Sequence, residues 1–221
     1  KEQASMDDTY DFTVFANQLA DIAQWAYRKG WAPATSTNYS VRLPEHAAPA
    51  FCAITSSGVD KEGFDPAQVL AVDRIGVPVN GCTLKPSAET LLHVMLYHAM
   101  GTGAVLHTHS LAAALLSRAA GECDGLKFSG WELLKGFDGV ETHDCEVVLP
   151  VFPNSQDIPA LAAHIETRLP RTQPCYGFLL AGHGLYVWGK DIATAKRHLE
   201  VFEFLLQCER EVRSHGYPAN A

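Results

Sequence analysis

The sequence predicts an α/β fold, a mixed central sheet with helices packed on both of its faces. Three observations carry that prediction. Segments with strand-like and helix-like apolar periodicity are interleaved along the whole chain. No long linker, repeat or low-complexity tract interrupts them, so a single domain is expected. Short polar loops such as 55–58 favour a partly antiparallel sheet over a purely parallel one.

The elements follow in order. Residues 10–29 read as a helix, because Phe12, Phe15, Leu19, Ile22, Ala23 and Ala26 recur at helical spacing and Gly30 can cap its end. Short strands are expected at 39–43, 51–55 and 69–73. A helix over 87–100 has Ser87 as N-cap, Leu91, Leu92, Met95, Leu96 and Ala99 on its apolar face, and Gly101 and Gly103 at its end. Residues 104–107 read as a short buried strand, and Ser110 caps a helix running to about Arg118. Residues 121–130 read as loop, and 140–142 and 146–151 as strands. An amphipathic helix over 158–169 stops at Pro170. Strands at 176–180 and 185–188 flank Gly182-His183-Gly184. The last helix, 191–214, carries the stripe Ile192, Ala195, Leu199, Phe202 and Leu206.

Composition narrows the function. The chain has 221 residues, 47% hydrophobic and 19% charged, an ordinary globular balance. With 17 Lys+Arg against 25 Asp+Glu, the net charge is −8. That disfavours nucleic acid and anionic lipid as partners and requires a local pocket for any anionic ligand. No apolar run reaches the ~18 residues of a membrane span. The six cysteines form no Cys-x-x-Cys pair, so reduced thiols in a cytoplasmic protein are expected.

The 10 histidines are the richest signal. In His107-Thr108-His109-Ser110, residues i and i+2 of an extended segment share a face, so both imidazoles can reach one metal ion. Taken alone, such a pair is more often surface or cap histidines. Gly182-His183-Gly184 offers a third imidazole, because glycines permit a tight bend and a close approach. Three neutral ligands would leave a dication free to act as a Lewis acid. His93 lies four residues after Glu89, as a bonded pair or as plain helix surface. His98, His164, His198 and His215 read as solvated or partly packed helix residues, and His46 and His143 as loop residues.

Two carboxylates are candidates for acid–base work. Glu89 lies near a helix start, where the dipole favours an anion. Glu132 has apolar neighbours expected to raise its pKa. Each also fits a capping or surface role. Asn38-Tyr39-Ser40, Thr55-Ser56-Ser57-Gly58 and Lys85-Pro86-Ser87 offer amides, hydroxyls and a cation for a phosphate, and read equally as turn and cap chemistry.

This ordered set, from Asn38 through Thr55–Gly58, Lys85-Pro-Ser-Ala-Glu89 and His107-Thr-His109 to Gly182-His183-Gly184, resembles the class II aldolase/adducin family over nearly the whole chain. The resemblance implies a three-layer α/β/α sandwich with a mixed central sheet. It implies zinc, one per subunit, on His107, His109 and His183. Gly182–Gly189, Gly103–Ser110 and Trp131–Gly136 are most similar to the family's dehydratases. They imply loss of water from 5-methylthioribulose 1-phosphate in methionine salvage, with Glu132 as acid/base. In the family's aldolases the base sits at the position of Glu89, so a sugar-phosphate aldolase or a ketopentose-phosphate epimerase is the alternative. An adducin-like scaffold would lack the three histidines. The resemblance assigns phosphate binding to Ser56, Ser57, Gly58, Lys85 and Ser87. It further implies a homotetramer with a neighbour's residue, such as Tyr217, completing each site. Residues 9–221 then form one zinc-binding domain, and 1–8 a disordered N-terminus or an expression remnant.

Overall fold

A computed structural model describes residues 10–79, 81–121, 123–171 and 174–216. The expectations for residues 1–8 and for Tyr217 lie outside the described residues.

Among the described residues, five α-helices and eight strands are interleaved. α1 (Phe12–Arg28) starts at Asp11, whose side chain accepts from Thr13 N. Then come β1 (Asn38–Arg42), β2 (Cys52–Thr55) and β3 (Val69–Val72). α2 (Thr90–Met100) ends on Gly101 in the left-handed conformation. β4 (Ala104–Thr108) and α3 (Leu111–Ala120) follow, joined by the Ser110 cap. β5 (Cys123–Phe128), β6 (Val147–Phe152), α4 (Ile158–Arg168), β7 (Gly177–Leu180), β8 (Gly184–Gly189) and α5 (Ile192–Ser214) complete the chain.

The strands form one sheet in the order β3-β2-β1-β4-β8-β7-β6-β5. Only β6 and β7 run parallel; every other neighbouring pair is antiparallel. The mixed sheet is therefore as expected. Alternation along each strand feeds two cores. In β8, Leu185 and Val187 face the layer that holds α1, α3 and α5, while Tyr186 and Trp188 face α2 and α4. At the centre of the sheet, β4 is buried along its whole length. It carries His107 at its C-terminal end.

Three expectations need correction. Residues 123–128, read as loop, form the edge strand β5. Its alternation (Leu126 and Phe128 buried, Lys127 exposed) is short and is interrupted by Gly125. Gly125 sits at φ +140°, where a Cβ would lie 2.6 Å from the Leu149 carbonyl oxygen, beside an irregularity in the pairing with β6. Residues 140–142 form no strand. Gly139 turns at φ +77°, and Thr142 Oγ1 accepts from Asp144 N, a local bond that competes with a ladder. The helix expected from Ser87 starts at Thr90, and Glu89 occupies the N-cap position instead of the first turn.

Candidate metal centre and active-site cavity

β4 and the β7–β8 hairpin bring the three predicted imidazoles together. His107 is fully buried at the end of β4 and His109 follows just beyond it. The strand period puts both rings on one side, with centroids 4.6 Å apart. His183 sits in the three-residue turn between β7 and β8, where its backbone N–H donates to Leu180 O. The flanking glycines have separate reasons. Gly182 takes φ +65°, and a Cβ on Gly184 would meet Thr108 O at 2.1 Å and His109 Cδ2 at 3.0 Å. A hairpin that presses this closely on β4 delivers His183 to the pair.

One potential ligand atom from each ring lies within 4.8 Å of the other two. Nδ1–H of His107 donates to the Leu185 carbonyl at 3.0 Å, which leaves the Nε2 lone pair aimed into the cluster. Burial, followed by the neighbouring imidazoles, holds His107 well below the usual histidine range. Burial and then His183 push His109 down to about 4. Neutral imidazoles with converging nitrogens suit a divalent metal ion.

Glu89 completes the cluster. Its Oε1 lies 3.2 Å from His183 Nε2 and its Oε2 3.5 Å from His107 Nε2. Asn38 Nδ2 donates to Glu89 Oε2 at 2.8 Å and to Ser87 Oγ at 3.0 Å. Beneath the centre, the Tyr186 ring stacks on His107 with centroids 3.9 Å apart.

A cavity of about 250 Å³ opens over these groups. Of the predicted residues it gathers Asn38, Ser57, Gly58, Ser87, Glu89, His109 and His183. It leaves out Ser56, which is buried and donates to Gln68 Oε1, and Lys85, whose side chain is exposed. The backbone oxygen of Lys85 accepts from Ser57 N, so that amide is already engaged. Thr35, Ser36 and Thr37 also line the cavity. Sequence reasoning missed them, although a run of three hydroxyls before Asn38 was a visible signal. Ala34 and Thr37 adopt positive φ of 54° and 74°, and this strain lies at the cavity wall.

Glu132 lies elsewhere. It opens a 3₁₀ turn over Glu132–Gly136, its side chain is 71% exposed, and it pairs with Lys135 and with His143. The hydrogen bond from Lys135 holds its carboxyl below the usual range, opposite to the shift expected from its apolar neighbours. Among the expected bystanders, His198 is buried between Trp188 O and Asp138 N, and His98 stacks on Phe51. His93 is fully buried and bonds Asn38, not Glu89.

The family model for the class II aldolase and adducin N-terminal domain matches residues 17–209. A methylthioribulose-1-phosphate dehydratase of Xanthomonas campestris pv. campestris is 49% identical over 90% of this chain and 88% of its own length. One from Pseudomonas syringae pv. tomato is 45% identical over 90% of this chain and 95% of its own. Among solved structures, an L-fuculose 1-phosphate aldolase superposes with a TM-score of 0.74 at 18% identity, covering 93% of this chain and 89% of that one. At that identity the likeness shows the fold alone.

Proposed function

The chain belongs to the class II aldolase and adducin family, and from that premise we propose that it removes water from 5-methylthioribulose 1-phosphate to give 2,3-diketo-5-methylthiopentyl 1-phosphate in methionine salvage. The observation that carries the reading is identity of 45% and 49%, over nine-tenths of the chain, to dehydratases of that name.

His107, His109 and His183 would hold one zinc ion per chain, which would stabilise the negative charge developing on the substrate oxygens as the C3 proton leaves. The side chains do the rest. Glu89 stands beside two of the imidazoles and accepts from Asn38, placed to take the C3 proton. Ser57, Gly58 and Ser87, with the hydroxyls of Thr35 and Thr37, would form a neutral wall for the phosphate. Such a local pocket is what a chain of net charge −8 needs to retain an anion.

In an oligomer, burial in a neighbouring copy's cavity would raise the Glu132 pKa above its lowered value beside Lys135 in the single chain, and the protonated carboxyl would then give its proton to the departing C4 hydroxyl. The exposed position of Glu132 fits this role in an oligomer, where it would face the cavity of a neighbouring copy. Trp131, Leu133 and Phe204 support that arrangement: Leu133 and Phe204 are 40% and 45% exposed, an apolar patch next to Glu132. We read the assembly as a homotetramer of one-domain chains (residues 9–221). A cytoplasmic location fits the thiols, since Cys52, Cys82, Cys145, Cys175 and Cys208 are all free. No helix among the described residues is long and apolar enough to cross a membrane.

A second reading, a sugar-phosphate aldolase, is favoured by one observation, the position of Glu89 against the imidazoles. A substrate panel separates the two. Turnover of methylthioribulose 1-phosphate in preference to fuculose and ribulose phosphates supports the dehydratase. Turnover of only the latter two supports the aldolase or an epimerase.

A further inference from the structure

A line of buried polar side chains runs from Glu89 into the layer between the sheet and α2. Glu89 Oε2 accepts from Asn38 Nδ2 at 2.8 Å. Asn38 Oδ1 meets His93 Nε2 at 2.5 Å. His93 Nδ1 meets Ser40 Oγ at 2.7 Å, and Ser40 Oγ meets the Tyr97 hydroxyl at 2.7 Å. His93 and Ser40 are fully buried, and Asn38 and Tyr97 nearly so. Two strands' worth of sequence separates the partners: β1 supplies Asn38 and Ser40, and α2 supplies His93 and Tyr97.

The polarity of the whole line follows from its cavity end. A carboxylate only accepts, and the Asn38 amide also faces Ser87 Oγ, which accepts from it at 3.0 Å. The NH₂ group of Asn38 must therefore point to the cavity and its oxygen to the histidine. His93 then has to donate through Nε2–H. Burial keeps the ring neutral, with a pKa pushed down to about 3, so it carries one proton and Nδ1 is an acceptor. Ser40 donates to Nδ1 and in turn accepts from Tyr97, whose hydroxyl burial keeps protonated. Every bond thus points toward Glu89. Flipping any member would set two acceptors against each other in a dry interior, where an unsatisfied polar group is costly.

We infer that His93 is a positioning residue: its Nε2–H holds the Asn38 amide in the orientation that donates to Glu89, and so fixes that carboxylate against His107 and His183. His93 supports the centre from a second side too, since its ring packs edge-on against Tyr186, which stacks on His107. The inference rests on the reading of Glu89 as an active-site group.

Two measurements test it. In ¹⁵N NMR of the metal-free chain, His93 should show the neutral Nε2–H tautomer with a slowly exchanging ring proton; the Nδ1–H tautomer would overturn the assignment. In a double-mutant cycle with the phosphorylated ketose that the wild type turns over best, His93→Phe should lower kcat by ~10-fold with KM within ~3-fold, the size expected when an orienting partner is lost. His93→Gln, which keeps a donor for Asn38, should recover most of the rate. In a Glu89→Gln background, His93→Phe should cost nothing further. Equal losses in both backgrounds would reduce His93 to a general fold-stabilising residue. If His93→Phe does not fold, Ser40→Ala makes the same cut one bond further back and should show the same non-additivity. A wild type that turns over no phosphorylated ketose would sink the functional reading alone, and the NMR tautomer would still decide the relay.

Discussion

Glu89 Oε1 lies 3.2 Å from His183 Nε2, so the start of α2 and the turn between β7 and β8 meet at one point. The contact links segments 94 positions apart and closes the imidazole cluster on the side of the cavity. It also makes the three histidines and Glu89 a single chemical unit.

Removing one imidazole should empty the centre. His107→Ala leaves two ligands on a site that needs three or more. Metal content by elemental analysis should fall from near one ion per chain to a small fraction. Full retention would contradict the ligand assignment.

Gly184→Ala should break the same centre without touching a ligand. The new methyl would overlap the Thr108 carbonyl oxygen, at 2.1 Å, which forces β8 away from β4. A loss on the order of 3 kcal/mol in urea unfolding is expected, together with weaker metal binding. Wild-type values for both would show that the hairpin relaxes at no cost.

Glu132→Gln should separate chemistry from binding. The side chain is exposed and its loss should move stability by less than ~0.5 kcal/mol. Metal content should not change. Turnover should fall by ~100-fold or more, the usual size of an acid/base contribution. Near-normal turnover would transfer the role to Glu89.

Glu203 predicts an opposite pair of pH effects. One of its oxygens accepts from Thr108 Oγ1 at 2.8 Å, while Oε2 is buried with no hydrogen-bond partner among the described residues. Burial raises its pKa from 4.5 to about 7. The folded chain therefore holds a proton that the unfolded chain releases between about 4.5 and 7. Stability from this group is present below 4.5 and is lost as the pH rises through 7. Glu203→Gln should gain on the order of 3 kcal/mol over wild type at pH 8, and the gain should vanish near pH 4. His109 acts in the other direction in the metal-free chain. Its folded pKa of about 4 lies below the unfolded 6.5, so its contribution is full above 6.5 and falls as the pH drops toward 4. Equal stabilities of Glu203→Gln and wild type at pH 8 would show that the carboxylate finds a partner or water.

Much of this was legible in the sequence, and what was not has physical reasons. His107 and His109 could be paired because a strand has a period of two, and His183 because its flanking glycines signalled a close approach. The edge strand β5 was hidden because its one glycine, Gly125, serves a bulge and a tight contact with Leu149, not a loop. His93 was unreadable as a site residue because its partner Asn38 lies 55 positions away and only β1 beside α2 joins them. Ser56 and Lys85 fitted a phosphate motif by type, yet the fold turns one inward to Gln68 and the other out to solvent. Glu132 had apolar sequence neighbours, but a side chain on an exposed 3₁₀ turn takes its pKa from Lys135 and water.

The most direct test of the account is the fate of 5-methylthioribulose 1-phosphate with the zinc-loaded chain, followed by mass spectrometry. Loss of one water, with the carbon skeleton and phosphate intact and no loss in a His183→Ala control, is the predicted result. Cleavage into two smaller fragments, or recovery of unchanged substrate from a fully metal-loaded chain, would contradict it.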